Sequence, residues 1–263
     1  MEVSMNTLII GDIVGRVGRN ILKEKLKEII EENKINLVIA NAENAAGGNG
    51  ITRKVADELF EMGISALTMG NHVWDQKEIF NFIDDEKRII RPANYLPNTP
   101  GRGSSLLNIN NVKIGIINLQ GTVFMQCNKN PFLIADDEVK ALREHTNIIL
   151  VDFHAEATSE KIALGHYLDG RVSCVYGTHT HVQTADEKIL SGGTGFITDV
   201  GMTGPYDSVL GMDKDKIIKK FTSSIPVKFD IAKGPAQING LVINIDENTG
   251  KCIDIYRINK NYI

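Results

Sequence analysis

The chain has 263 residues, 42% of them hydrophobic and 24% charged, with a formal net charge of −4. That balance belongs to an ordinary soluble globular protein with enough apolar material for a full core. It excludes a global basic field that draws in a nucleic-acid backbone, and no apolar run approaches the ~18 residues of a membrane helix. The N-terminal string MEVSMNTLIIGDIVGRVG lacks the basic and apolar regions of a secretory signal, so a cytoplasmic protein is expected. The three cysteines, Cys127, Cys174 and Cys252, form neither a C-x-x-C pair nor a disulfide framework and are read as structural.

Taken in chain order, residues 6–12 (NTLIIGD) read as a buried strand ending in Gly-Asp. Residues 18–34 carry Ile21, Leu22, Leu26, Ile29 and Ile30 at helical spacing, with charge on the other face. A second strand is expected over 36–44 (NLVIANAEN). A helix follows over 52–63, with Thr52 as N-cap and Gly63 as its stop. A third strand, 64–71 (ISALTMGN), leads to a helix over 75–85. This β-α-β-α-β order favours a parallel sheet. Residues 91–104, rich in Pro, Asn and Gly, are loop. Residues 105–121 read as a hairpin turning at Asn110-Asn111. Residues 123–132 have no clear period and suit a covering segment. A helix is expected over 136–146, with Asp136-Asp137 at its start. A strand over 147–157, a helix over 158–170 and a strand over 171–181 follow. The remainder reads as antiparallel β, with turns at 191–193 and 247–250.

The ends of the strands carry the chemistry. They deliver Asp12, then Glu43-Asn44, then Asn71-His72, then His154, then His179 and His181. In open α/β sheets, sites lie at the carboxyl ends of the strands. His179 and His181 are two of only six histidines, and extended backbone puts positions i and i+2 on one face. The set reads as the ligands of a shared metal centre. Each residue alone has a plainer account. Asp12 with Gly11, Gly15 and Gly18 could belong to a phosphate loop, although the spacing is not G-x-G-x-x-G. Asn44 and Asn71 could be turn formers, Glu43 a solvated turn residue, and His154 a hydrogen-bonded core histidine. His145 and His166 lie in or beside helices and are left out.

The strings GD at 11–12, GNH at 70–72 and GTHTH at 177–181 resemble the calcineurin-like metallophosphoesterases. The longer strings NAENAAGGNGIT, MGNHVWD, DFHAEATSEK and GTHTHVQTAD resemble the bacterial YmdB-like branch of 2′,3′-cyclic-nucleotide phosphodiesterases, and the resemblance spans essentially the whole chain. Two positions depart from the wider superfamily. Its Asp-x-His is Asp12-Ile13-Val14 here, and its Gly-Asp-x-x-Asp is Ala42-Glu43-Asn44.

The resemblance implies an α/β fold in four layers, α/β/β/α, with two mixed sheets flanked by helices. It implies one domain over 1–263, with candidate cap segments near 45–60 and 122–135. It implies a dinuclear centre of transition metals, iron foremost, with manganese or zinc as alternatives. Asp12, Glu43, Asn44 and His181 would hold one ion. Glu43, Asn71, His154 and His179 would hold the other, with Glu43 bridging. His72 would be the proton donor. The expected reaction is hydrolysis of a 2′,3′-cyclic nucleotide, a small phosphodiester of RNA-derived type, by a metal-bound hydroxide. Two alternatives stay open: a phosphomonoesterase acting on nucleotides or phosphoproteins, and a non-catalytic RNA- or nucleotide-linked regulator. Homo-oligomerisation also stays open. The Gly-rich stretch 45–50 and the loop 202–205 are candidate borders of the site.

Overall fold

The computed structural model describes residues 4–127, 129–223 and 225–263. Its strands, in chain order, are β1 (Ser4–Ile10), β2 (Asp12–Ile13), β3 (Leu37–Asn41), β4 (Ala66–Thr68), β5 (Ile89–Ile90), β6 (Ser104–Ile109), β7 (Val112–Gln120), β8 (Ile148–His154), β9 (Cys174–Thr178), β10 (Lys188–Ile189), β11 (Gly195–Ile197), β12 (Met202–Pro205), β13 (Ala236–Asp246) and β14 (Cys252–Tyr262). The helices are α1 (Gly15–Glu32), α2 (Arg53–Glu61), α3 (Pro131–Arg143), α4 (Thr158–Tyr167) and α5 (Lys214–Ser223). Among the described residues no helix is long and apolar enough to cross a membrane.

The strands form two mixed sheets. One runs β2-β12-β13-β1-β3-β4-β5, with β14 beside β13; the other runs β10-β11-β9-β8-β7-β6. Alternate side chains of the same strand serve two cores. From β1, Leu8 and Ile10 face α1 and α2, while Met5 and Ile9 face the other sheet. From β8, Ile148 and Leu150 face the first sheet, while Ile149, Val151 and Phe153 face α3 and α4. Strands buried on both faces read as unbroken apolar runs, as LII and IILV do here. The result is the four-layer α/β/β/α sandwich expected from the sequence.

Strands β1, β3, β4 and β5 are mutually parallel, as are β7, β8, β9 and β11. Each set therefore gathers its carboxyl ends at one edge of its sheet. The hairpin turns where expected: β6 and β7 pair around Asn110 and Asn111, both with positive φ, as a two-residue hairpin turn requires. Thr52 caps α2 by accepting from Val55 N at 3.3 Å, and Gly63 stops it at φ +99°.

Several local expectations differ from the structure. Residues 75–85 form only a 3₁₀ turn, Lys77–Asn81. Asp84 and Asp85 stand where an α-helix would end, and carboxylates there oppose its dipole. Asp84 Oδ1 instead accepts from Gly101 N at 2.6 Å. Helix α3 begins at Pro131, so Asp136-Asp137 lies inside it and is not its start. The start is set by Asn130, whose Oδ1 accepts from Phe132 N at 2.9 Å, and by Pro131 behind it. Beyond residue 182 the sheet is not simply antiparallel. β11 pairs parallel to β9, and β12 parallel to β2. The glycines near Asp12 serve packing, not a phosphate loop: a Cβ on Gly11 would lie 2.1 Å from Gly201 O, and one on Gly18 2.3 Å from Thr203 O.

Candidate metal centre

The two carboxyl edges meet, and the strand-end residues meet with them. Glu43 and Asn44 follow β3, Asn71 follows β4, and Asp12 opens β2; these four come from the first sheet. His154 ends β8, and His179 and His181 follow β9 in the second sheet. Asp12, Glu43 and His154 are at most 1% exposed.

His154 Nε2 is the centre of one group. It lies 3.0 Å from Glu43 Oε1, 3.1 Å from Asn71 Oδ1 and 3.0 Å from His179 Nδ1. The ligand atoms of Glu43, His154 and His179 all lie within 4.8 Å of one another. Asn44 is the centre of the second group. Its Nδ2 lies 3.3 Å from His181 Nε2, 3.5 Å from Asp12 Oδ1 and 3.4 Å from Glu43 Oε1. Glu43 Oε1 thus touches both groups.

The outer nitrogen of each histidine is already committed. His154 Nδ1 meets Thr178 Oγ1 at 2.9 Å, and that hydroxyl donates to Asp152 Oδ1 at 2.7 Å, so it accepts from the ring. His181 Nδ1 donates to Leu210 O at 3.1 Å. His179 Nε2 is 3.2 Å from Glu156 Oε2. Such partners fix the tautomer and aim the other nitrogen's lone pair inward. His154 Nε2, His179 Nδ1, Glu43 Oε1 and Asn71 Oδ1 therefore bring four electron pairs to one place. A single proton can bridge only some of them, whereas a cation can accept from all four. In the second group the Asn44 amide presents its nitrogen, and a half-turn of the planar amide puts Oδ1 in the same place. The donor chemistry fits two cations bound through mixed O and N ligands without thiolate.

The electrostatics without a cation follow the same geometry. Burial pushes Glu43 up, but the adjacent His154 and the N–H of His72 outweigh it and hold the carboxyl at about 2. Burial pushes His154 down, but Glu43, Asp12 and Asp152 outweigh it and hold the ring at about 9. His179, buried beside that cationic ring, falls to about 3. Burial is the main influence on the other two carboxyls: it raises Asp12 and lifts Asp152 to about 7.

His72 stands at the rim. Its backbone N–H donates to Glu43 Oε2 at 2.8 Å, and its Nδ1 is 2.8 Å from Asp75 Oδ2. Gly70, just before Asn71, has no room for a side chain: a Cβ there would lie 2.3 Å from His154 Cδ2 and 2.5 Å from Glu43 Oε2.

The two histidines of 179–181 reach the site by a route other than strand alternation. β9 ends at Thr178, and His179 and His181 have φ +98° and +65°, uncommon values for residues other than glycine. They enter different groups of the cluster. What holds this turn was missed in the sequence. Asp199 Oδ2 accepts from Thr180 N at 3.1 Å and Thr180 Oγ1 at 2.7 Å, and pairs with Lys161 Nζ at 2.6 Å, with both side chains 1% exposed. Asp199 lies two residues beyond β11, another strand whose carboxyl end falls at this edge. A strand-end aspartate in GFITDVG was the available signal. Asp152 and Asn41 were missed too. Asn41 Oδ1 accepts from Glu43 N at 3.1 Å.

His145 and His166 lie elsewhere, beyond the end of α3 and within α4. Met202 of β12 is the pairing partner of Asp12, so 202–205 borders the site through its backbone. Of the stretch 45–50, residues 46–49 line a separate cavity of about 720 Å³ with Asp75 and Gln76. A larger cavity of about 870 Å³ adjoins the cluster at Asn71 and His179. Phe124–Cys127 lie on its wall, so part of the expected covering segment does border a space; Asn128 of that segment lies outside the described residues.

Comparison with known proteins agrees over almost the whole length. Residues 8–258 match the family model described as YmdB-like protein. A Bacillus subtilis (strain 168) protein named 2′,3′-cyclic-nucleotide 2′-phosphodiesterase is 51% identical over 254 residues, covering 97% of this chain and 96% of the relative. A crystal structure of a Mycoplasma pneumoniae protein described as a novel phosphatase is 37% identical with a TM-score of 0.93, covering 100% of this chain and 95% of that one. A hypothetical protein from Thermus thermophilus is 37% identical with a TM-score of 0.91, covering 98% of this chain and 100% of that one.

Proposed function

The chain belongs to the YmdB-like family, and on that premise we propose that it hydrolyses 2′,3′-cyclic nucleotides to nucleoside monophosphates with two transition-metal ions at the strand-end cluster. The observation that carries this reading is the convergence of Glu43, Asn71 and His179 on His154 Nε2 at 3.0 to 3.1 Å, beside an open cavity. Asp12, Glu43, Asn44 and His181 would hold one ion, and Glu43, Asn71, His154 and His179 would hold the other. Bound there, the ions would supply Lewis acidity toward the phosphoryl oxygens and a nucleophile at neutral pH. Iron is the favoured metal by family; the O and N donors also suit manganese or zinc.

The chain's own residues do the rest. Of the seven donors only Asp12 and Glu43 are anionic, so the ligand set does not fully neutralise two divalent ions, and an anionic phosphodiester completes the balance. His154, His179 and His181 are locked in orientation by Thr178, Glu156 and Leu210. His72 is the general acid. Asp75 holds its Nδ1, which leaves Nε2 to deliver a proton to the ribose oxygen as its bond to phosphorus breaks. Donors from both sheets complete the site, which supports one domain over 1–263. A cytoplasmic setting belongs to the same reading and suits the buried thiols of Cys174 and Cys252.

Elemental analysis of protein purified without chelator should find about two transition-metal ions per chain, and Glu43→Ala should lose both. Full metal content in that variant refutes the bridging role. The substrate class is read from kcat/KM on 2′,3′-cyclic nucleotides against 5′-monoesters. A preference for monoesters of about tenfold or more, some 1.4 kcal/mol, favours a phosphomonoesterase instead.

A further inference from the structure

The cavity of about 870 Å³ beside Asn71 and His179 has a wall that the chemistry at the metal cluster does not use. Trp74, Tyr95 and Phe124 line it. Trp74 is backed by Phe80, with ring centroids 5.1 Å apart and planes 6° from parallel. Phe124 is the unusual member. Its side chain is 90% exposed, and its backbone sits at φ +62°, a left-handed conformation that is an outlier for a bulky residue. A strained backbone that holds an aromatic ring in water needs support, and the chain on both sides supplies it. Thr122 N and Oγ1 donate to Glu160 Oε1 at 2.9 and 2.8 Å. On the other side, Gln120 Nε2 donates to Gln126 O at 2.8 Å, and Gln120 Oε1 accepts from Tyr95 OH at 2.8 Å. The loop is pinned at each end, and Phe124 projects between the pins. Burial does not explain this arrangement, because the ring buries almost nothing. A pre-organised aromatic face beside a cavity is what a flat, π-faced ligand needs.

We propose that this cavity is a nucleobase subsite, in which Phe124 provides the face on which the base of a nucleotide stacks while its phosphate lies at the metal cluster. This rests on the nucleotide reading of the site. The cavity shares Asn71 and His179 with the cluster, so one ligand spans both. Tyr95 OH and both ends of the Gln120 amide are already bonded within the protein, so stacking, and not hydrogen bonding to base edges by these groups, is the main contribution.

The test compares two substrates with the same cyclic phosphate: adenosine 2′,3′-cyclic phosphate, and 1-O-methylribose 2′,3′-cyclic phosphate, which has no base. Phe124→Ala should fold normally, because the side chain it removes is exposed. It should raise KM for the adenosine compound by about fivefold or more, with kcat held within about threefold, as expected for loss of one stacking contact. KM for the baseless compound should not change, and Phe124→Tyr should restore the adenosine value. An equal change on both substrates, or no change on either, overturns the subsite. A second readout needs no turnover. Trp74 is the sole tryptophan of the chain and lines the cavity, so adenosine 3′-monophosphate should quench its fluorescence, with a Kd weakened in Phe124→Ala. If the wild-type enzyme turns over neither cyclic phosphate, the substrate reading has failed. The titration then decides the subsite alone: quenching that depends on Phe124 keeps it, and its absence overturns it.

Discussion

His72 makes two chemically different contacts, and only one of them is to the cluster. Its backbone N–H donates to Glu43, and its ring is held by Asp75. Only the second contact depends on the side chain, so His72→Ala should keep its metal. Its kcat on a nucleoside cyclic phosphate should fall by roughly 10²–10⁴, the usual worth of a general acid. The loss should be much smaller on bis-p-nitrophenyl phosphate, whose leaving group departs with little need of a proton. His154→Ala should instead lose metal and fail on both substrates alike. Assaying both variants on both substrates, with metal content measured alongside, separates the roles. Loss of metal in His72→Ala would mean that the ring is a ligand and the acid lies elsewhere.

The turn after β9 is held from outside itself. His179 and His181 adopt left-handed φ, and Thr180 between them is bound through both backbone and side chain to Asp199, which pairs with buried Lys161. Removing one partner of a buried pair leaves an uncompensated charge and costs ~3–5 kcal/mol. Asp199→Ala is therefore expected to lose about that much stability in urea denaturation and to bind metal more weakly, although Asp199 is not among the proposed ligands. A loss below about 1 kcal/mol, the scale of an exposed pair, would show that the turn is held by something else. The Phe124 loop follows the same principle, since Glu160 and Gln120 fix it from neighbouring elements.

The cluster takes Asp12, Glu43, Asn44 and Asn71 from one sheet and His154, His179 and His181 from the other. On the proposed reading, ions held there would tie the two halves of the sandwich at their carboxyl edges. A ligand present at about 100 times its Kd stabilises the folded state by about 2.7 kcal/mol. At about 2–4 °C per kcal/mol for a chain near this size, chelation should lower Tm by about 5–10 °C. Adding back the metal should restore it. An unchanged Tm after verified metal loss would mean that the cluster does not hold the sheets together.

The layers were legible in the sequence because each strand and helix carries its own periodicity, and the β-α order puts parallel strand ends at a shared edge. That is why Asp12, Glu43, Asn71 and His154 could be gathered by counting from strand ends alone. His179 and His181 were found for a reason that did not hold: strand alternation does not extend past Thr178, and nothing local in His-Thr-His announces positive φ. Asp199 was hidden because parallel pairing of β11 with β9 is a contact between distant segments. Read as antiparallel, the same strand sends its aspartate to the wrong edge. The cavity wall was hidden for the same reason, since Trp74, Tyr95 and Phe124 come from three loops without period. Local patterning thus determined which residues could serve a metal centre. Long-range packing alone decided what holds them in place and what lies beside them, because those contacts join segments whose sequences carry no record of each other.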